Sequence, residues 1–182
     1  MLISMTSPVA SEVPSREQRD PELLALRGLA RLAAAGIPDR PLDALQQVVE
    51  LARELTAARY AALAVTDGND YVEGFVVSGL DPAEERKLKA APQGHGPLGT
   101  MHQDGLAVRI DDLDACAAAF GFPPKHPQMK ALLGLPLWVD KELRGALYVT
   151  DRDGCRPFDD GDQGALEVLA RHASAVIAAR WY

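Results

Sequence analysis

Residues 59–66 read Arg-Tyr-Ala-Ala-Leu-Ala-Val-Thr, residues 67–70 read Asp-Gly-Asn-Asp, and residues 71–78 read Tyr-Val-Glu-Gly-Phe-Val-Val-Ser. The two flanks are short apolar runs carrying Val, Tyr and Phe, which suit a pleated, half-buried surface. The middle is turn chemistry, because Gly and Asn accept positive φ and Asp bonds its own backbone. Together they predict a β-hairpin. A second pair follows at Leu132–Val139 and Gly145–Thr150, joined across Asp140-Lys141-Glu142. Two hairpins imply a sheet that is largely antiparallel.

Helices frame these hairpins. Asp20-Pro21-Glu22 is a helix start, a capping carboxylate followed by a residue with preset φ and no amide to leave unbonded. Leu23, Leu26, Leu29 and Ala33 then recur at helical spacing, and Gly36 is placed to end the helix. Asp39-Arg40-Pro41 opens a second amphipathic helix through Leu42, Leu45, Val48 and Leu55, and Asp159 and Asp160 open a last one through Leu166, Leu169, Ala173, Val176 and Ile177. Between the hairpins, Asp81-Pro82 starts a short charged helix, Gly94–Gly99 is a bend, Ala107–Ile110 is a strand, and residues 111–130 form a long connection of the kind that usually carries function. The order predicts an α+β domain over residues 20–182, after a flexible leader at 1–19. It has a central antiparallel sheet, terminal helices on one face and a ligand pocket under loops on the other.

The bulk properties narrow the function. The chain has 182 residues with a formal net charge of −7 and a pI near 5.1. Its lysines and arginines are scattered, which argues against a phosphate-binding face for nucleic acid. Cys116 and Cys155 lie far apart with no zinc spacing, which suits a reducing, cytoplasmic setting. No run of eighteen apolar residues predicts a membrane span, and the first residues lack the basic start of a signal peptide.

Three further stretches carry a resemblance. They are Phe120-Gly-Phe-Pro-Pro-Lys-His-Pro-Gln-Met129, Leu133-Gly-Leu-Pro-Leu137 and Gly145-Ala-Leu-Tyr-Val-Thr-Asp151, with Arg109-Ile-Asp-Asp112 upstream. With the element order over residues 40–182, they resemble a GAF domain, and in particular the haem-binding GAF domain of actinobacterial oxygen- and redox-sensing dormancy histidine kinases. The resemblance implies a haem b cofactor with His126 as the proximal iron ligand and Tyr148 on the distal side, hydrogen-bonding a bound diatomic gas. Where those sensors carry Glu and His near the haem edge, this chain has Ala64 and Thr66, and the family's Gly-Leu-Gly bend is Gly94-His95-Gly96.

The residues have their own reading. His126 stands between Pro124 and Pro127, whose rings stiffen the loop, as an axial ligand requires; the alternative is an exposed loop histidine. Gly94 and Gly96 permit close backbone approach to a flat group, so His95 is a second candidate ligand, or a solvated turn residue. His102 reads as solvated and His172 as a partly buried helix residue. Tyr148 offers an apolar ring and one hydroxyl, either to a pocket or to a backbone carbonyl. Phe75, Leu98, Met101, Phe122, Met129, Leu133 and Leu135 supply either an apolar cofactor wall or plain core. No nucleophile elbow, P-loop or metalloprotease motif is present. The expectation is a sensor for O2, CO, NO or redox state, with a homodimer through the terminal helices. The rivals are a haem-dependent redox enzyme, a module for a cyclic nucleotide or other small metabolite, and a ligand-free scaffold.

Overall fold

The computed structural model describes residues 20–67, 71–81, 105–112, 130–152 and 156–181. The leader, the charged helix after Asp81 and the 113–129 part of the long connection lie outside these residues. Helix α1 covers Pro21–Ala35, and the Asp20 carboxylate accepts from the amides of Glu22 and Leu23. Helix α2 covers Pro41–Thr56. Its cap position is Arg40, which contributes no side-chain cap and instead pairs bidentately with Asp43 at 2.8 and 2.9 Å. Helix α3 covers Asp160–Arg180 behind a reciprocal box in which Asp159 and Asp162 each accept from the other's backbone amide.

Among the described residues five strands follow the expected hairpin logic: β1 Ala58–Thr66, β2 Val72–Ser78, β3 Val108–Ile110, β4 Leu132–Val139 and β5 Glu142–Arg152. All pairings are antiparallel and the spatial order is β2-β1-β5-β4-β3. The helices pack on one face. There Leu45, Val48 and Val49 of α2 and Leu166, Leu169 and Ile177 of α3 meet Leu63, Val65, Leu133, Leu135, Leu137, Leu147 and Val149 in one buried cluster. Each of those large side chains removes about 1.5–3 kcal/mol of exposed apolar surface from water, so this layer dominates the fold's stability. No helix among the described residues is long and apolar enough to cross a membrane.

Two ion-pair sets tie the start of α3 to the sheet. Arg152, at the end of β5, reaches buried Asp162 at 2.7 Å and Asp159 at 3.4 Å. Burial pushes the Asp162 carboxyl up despite that partner, while the Asp162 amide holds Asp159 below the ordinary carboxylate range. Arg109 of β3 meets Asp160 at 2.8 Å. At the other end the Trp181 ring lies over Gly74 of β2, where a Cβ would come within 2.4 Å of it, and its Nε1 donates to Glu73 at 3.1 Å.

One irregularity sets the orientation of half the sheet. Near the β4–β5 turn the partners are Val139–Glu142 and Trp138–Leu143, but from Pro136–Ala146 onward the register has moved by one residue. The extra residue is taken up at Arg144–Gly145, a β-bulge. Gly145 sits at φ 151, and a Cβ there would lie 2.0 Å from the Ala64 carbonyl oxygen. Both the dihedral and the close approach demand glycine. Gly145→Ala is expected to destabilise the domain by about 3 kcal/mol. Urea unfolding would check this; a loss under 1 kcal/mol would mean that the bulge relaxes freely.

Candidate functional site

The face away from the helices is built by the same pairings. Residues directly opposite on antiparallel strands share a face, so Val77, Ala62, Tyr148, Gly134 and Val108 form one row across all five strands. The next row is Phe75, Ala64, Ala146 and Pro136, and on the other side lie Tyr60, Thr150, Leu132 and Ile110. The centre of this face is made of small residues: Ala62, Ala64, Ala146 and Gly134. Phe75 and Tyr60 rise at its sides, and Tyr148 stands in its middle row. The Tyr148 ring packs with Ala146 and Val108. This arrangement makes a shallow floor with aromatic sides.

Tyr148 is the polar group at its middle. Its two cross-strand neighbours, Ala62 and Gly134, are too small to cover the ring. Burial pushes its phenol above the ordinary value, and desolvation is the sole cause, with no hydrogen bond contributing. The hydroxyl is therefore neutral and available as a donor across the physiological range. Two residues on, Thr150 is 1% exposed and its Oγ1 has no hydrogen-bond partner among the described residues. A buried hydroxyl left unbonded costs about 1–3 kcal/mol, and such groups are commonly completed by a bound molecule or water.

The expected site residues divide three ways. Tyr148 and Phe75 stand on the floor together, with Ala64 and Thr66 on the same face or strand, both buried. Leu133 and Leu135 do not join them. They are 0% and 4% exposed in the cluster beneath the helices, so they are core and not cofactor wall. The bulge explains the reversal. Continuing the turn's register without interruption would set Leu133 opposite Tyr148 and Leu135 opposite Ala146, and the one-residue shift puts Gly134 and Pro136 there instead. His172 of α3 keeps substantial accessible surface, while the surrounding protein desolvates its imidazole enough to lower its pKa. His126, His95, His102, Gly94, Gly96, Leu98, Met101, Phe122, Met129, Cys116 and Cys155 lie outside the described residues.

Sequence reasoning passed over two groups, Thr150 and Asp151. Asp151 adopts the left-handed region at φ 52. Its carboxylate accepts from the amides of Lys130 at 2.6 Å and Ala131 at 3.2 Å, and its own amide donates to the Ala131 carbonyl at 3.1 Å. These bonds clamp the entry of β4 to the exit of β5, four residues after His126 in sequence. The signal was an aspartate ending an apolar strand, since Asp tolerates this backbone region and bonds local amides.

A family model for the GAF domain matches residues 40–178. The chain belongs to the GAF domain family. The solved structures agree on the architecture. The GAF domain of a phosphoenolpyruvate-protein phosphotransferase from Coxiella burnetii superposes with a TM-score of 0.72 at 20% identity, covering 91% of this chain and 96% of that one. Its counterpart from Acinetobacter gives 0.70 at 18%, covering 91% and 95%. Free methionine-R-sulfoxide reductase from Neisseria meningitidis, in complex with its substrate, gives 0.68 at 17%, covering 92% and 93%. At these identities the likeness is one of fold, so function in this GAF domain must be argued from its own floor.

Removing the Asp151 side chain tests how that floor is closed. Asp151→Ala loses both carboxylate bonds and places alanine at positive φ, with an expected loss of about 2 kcal/mol by urea unfolding. Asp151→Asn keeps an acceptor and the backbone preference and should lose less than half as much; equal losses would show that charge, not geometry, does the clamping.

Proposed function

We propose that this GAF domain is a sensor that holds haem b against the Tyr148 floor and responds to a diatomic gas or to redox state. The observation that carries the reading is the position of Tyr148. The tyrosine that the resemblance assigns to the ligand side stands at the centre of the small-residue floor, half-buried, with desolvation raising its phenol above the ordinary value. The floor's chemistry fits the group. Ala62, Ala64, Ala146 and Gly134 are small, buried residues that keep this part of the sheet flat, Phe75 and the Tyr148 ring offer apolar contact, and the Thr150 hydroxyl beside them has no partner among the described residues. His126, in the sequence Pro124-Lys125-His126-Pro127, would hold the iron through an imidazole nitrogen, with His95 the second candidate. Haem, when bound, supplies an iron that takes up a diatomic ligand or changes oxidation state.

The chain's own part is selection. A neutral phenol donates one hydrogen bond to an electronegative atom brought within reach, and the surrounding alanines keep water from competing. Ala64 and Thr66 replace the ionisable pair of the dormancy sensors, so Tyr148 acts with fewer charged neighbours here. A redox enzyme on the same floor, or a module for a cyclic nucleotide or other metabolite, would use the same residues. These readings separate by turnover with an added oxidant, or by a colourless protein.

The test is an absorption spectrum of protein produced with haem available, beside His126→Ala and Tyr148→Phe. The wild type should show a Soret band that His126→Ala loses or shifts. Tyr148→Phe should keep the band and release bound O2 about 10-fold faster, the loss of one hydrogen bond. A colourless wild type that fails to take up added haem would sink the reading.

The dimer is proposed on a separate observation. Leu26, Ala30 and Ala33 line one exposed stripe of α1, and Ile37 follows just beyond it, with Leu26 54% and Ile37 74% exposed. A second copy would cover this stripe. Light scattering should give a dimer for the wild type and a monomer for Leu26→Glu; a monomeric wild type at 100 times the working concentration would exclude it.

A further inference from the structure

A hollow lies at one margin of the sheet, where the short β3 leaves the end of β4 uncovered beside α3. Beyond the short β3, residues 105–107 run beside β4 and leave a groove of about 510 Å³ between themselves and α3. Its apolar wall includes Leu106, Pro136 and Trp138, and α3 contributes Ala170, Glu167 and Arg171. Leu106 is 67% and Trp138 45% exposed, unusual for residues that bury so much apolar surface when covered. The Trp138 ring rests against Gly105, where a Cβ would come within 2.4 Å, so the indole is seated and not loose.

The groove is lined by one carboxylate and one guanidinium, Glu167 and Arg171. Glu167 and Arg171 are one helical turn apart and form no ion pair with each other; the Glu167 carboxylate already accepts from Gln163 at 3.1 Å. Among the described residues Arg171 has no ion-pair partner, in a domain whose net charge is −7. An open guanidinium above an apolar wall with an exposed indole matches a molecule that joins an anionic group to an aromatic or branched body. The volume lies in the range of small-molecule sites.

We propose that this groove is a second binding site, for a small organic anion with an apolar body. Trp138 and Leu106 contact the body, and Arg171 contacts the carboxylate or sulfonate. The site is separate from the Tyr148 floor, and Pro136, which stands on the floor face and also lines the groove, is the residue common to both.

The experiment uses the full chain and 1-anilinonaphthalene-8-sulfonate as the probe, followed by energy transfer from tryptophan. Saturable one-to-one binding is expected, with perturbation of the Trp138 indole resonance, identified by its loss in Trp138→Phe. Arg171→Gln should weaken the sulfonate probe about 5-fold and leave the uncharged N-phenyl-1-naphthylamine unaffected. Leu106→Glu should weaken both. Melting temperatures of the two variants verify that the fold is intact, since both positions are exposed. Absence of saturable binding overturns the proposal. So does a probe affinity indifferent to both substitutions, because that probe would be bound elsewhere, including on the Tyr148 floor.

Discussion

The single extra residue accommodated at Gly145 determines which side chains of β4 look at the helices and which look away. Antiparallel strands alternate faces with a period of two, so a shift of one residue exchanges the two sets completely. With the shift, Leu133, Leu135 and Leu137 fill the helix-facing core, and Gly134 comes to lie beside Tyr148. Without it, two leucines would stand around the phenol and the core would receive a glycine and a proline. The close contact with the Ala64 carbonyl holds the bulge in place from the β1 side, where the β1–β5 register runs unbroken from Ala58–Arg152 to Val65–Gly145.

The floor that results is a compromise between packing and reception. A sheet face lined with Ala62, Ala64, Ala146 and Gly134 gives up the dispersion contacts that larger residues would make there. The opposite face, where Leu63, Val65, Leu133, Leu135, Leu137, Leu147 and Val149 meet α2 and α3, carries the domain. This division allows Tyr148 to keep a desolvated phenol and Thr150 a buried hydroxyl without a partner among the described residues. Such groups belong where stability has been yielded to function.

Most of the fold was legible because its signals are local. The caps at Asp20 and Asp159, the prolines at the first helical positions and the two hairpin turns need only a few neighbouring residues to act. The face of Leu133 and Leu135 was not legible, because it depends on a pairing between strands and on where the bulge falls. A glycine after Leu143-Arg144 hinted at a break in the ladder without saying which way the register would move. That Tyr148 and Phe75 share a face follows from strand pairing, and the role of Asp151, joining the amides of residues 130 and 131, appears only once β4 and β5 lie side by side.

Trp181 gives the domain a mechanical property. Its ring is seated on Gly74, whose next residue is Phe75 at the side of the floor, and its indole is fastened to Glu73. Strand β2 is thus both a rail of the receptor face and the bearing on which the end of α3 rests. The helix has 21 residues, about 30 Å at 1.5 Å each, and its other end is bolted by Asp162 to Arg152. A rod fixed at one end and carried at the other turns a small sideways travel of β2 into a tilt.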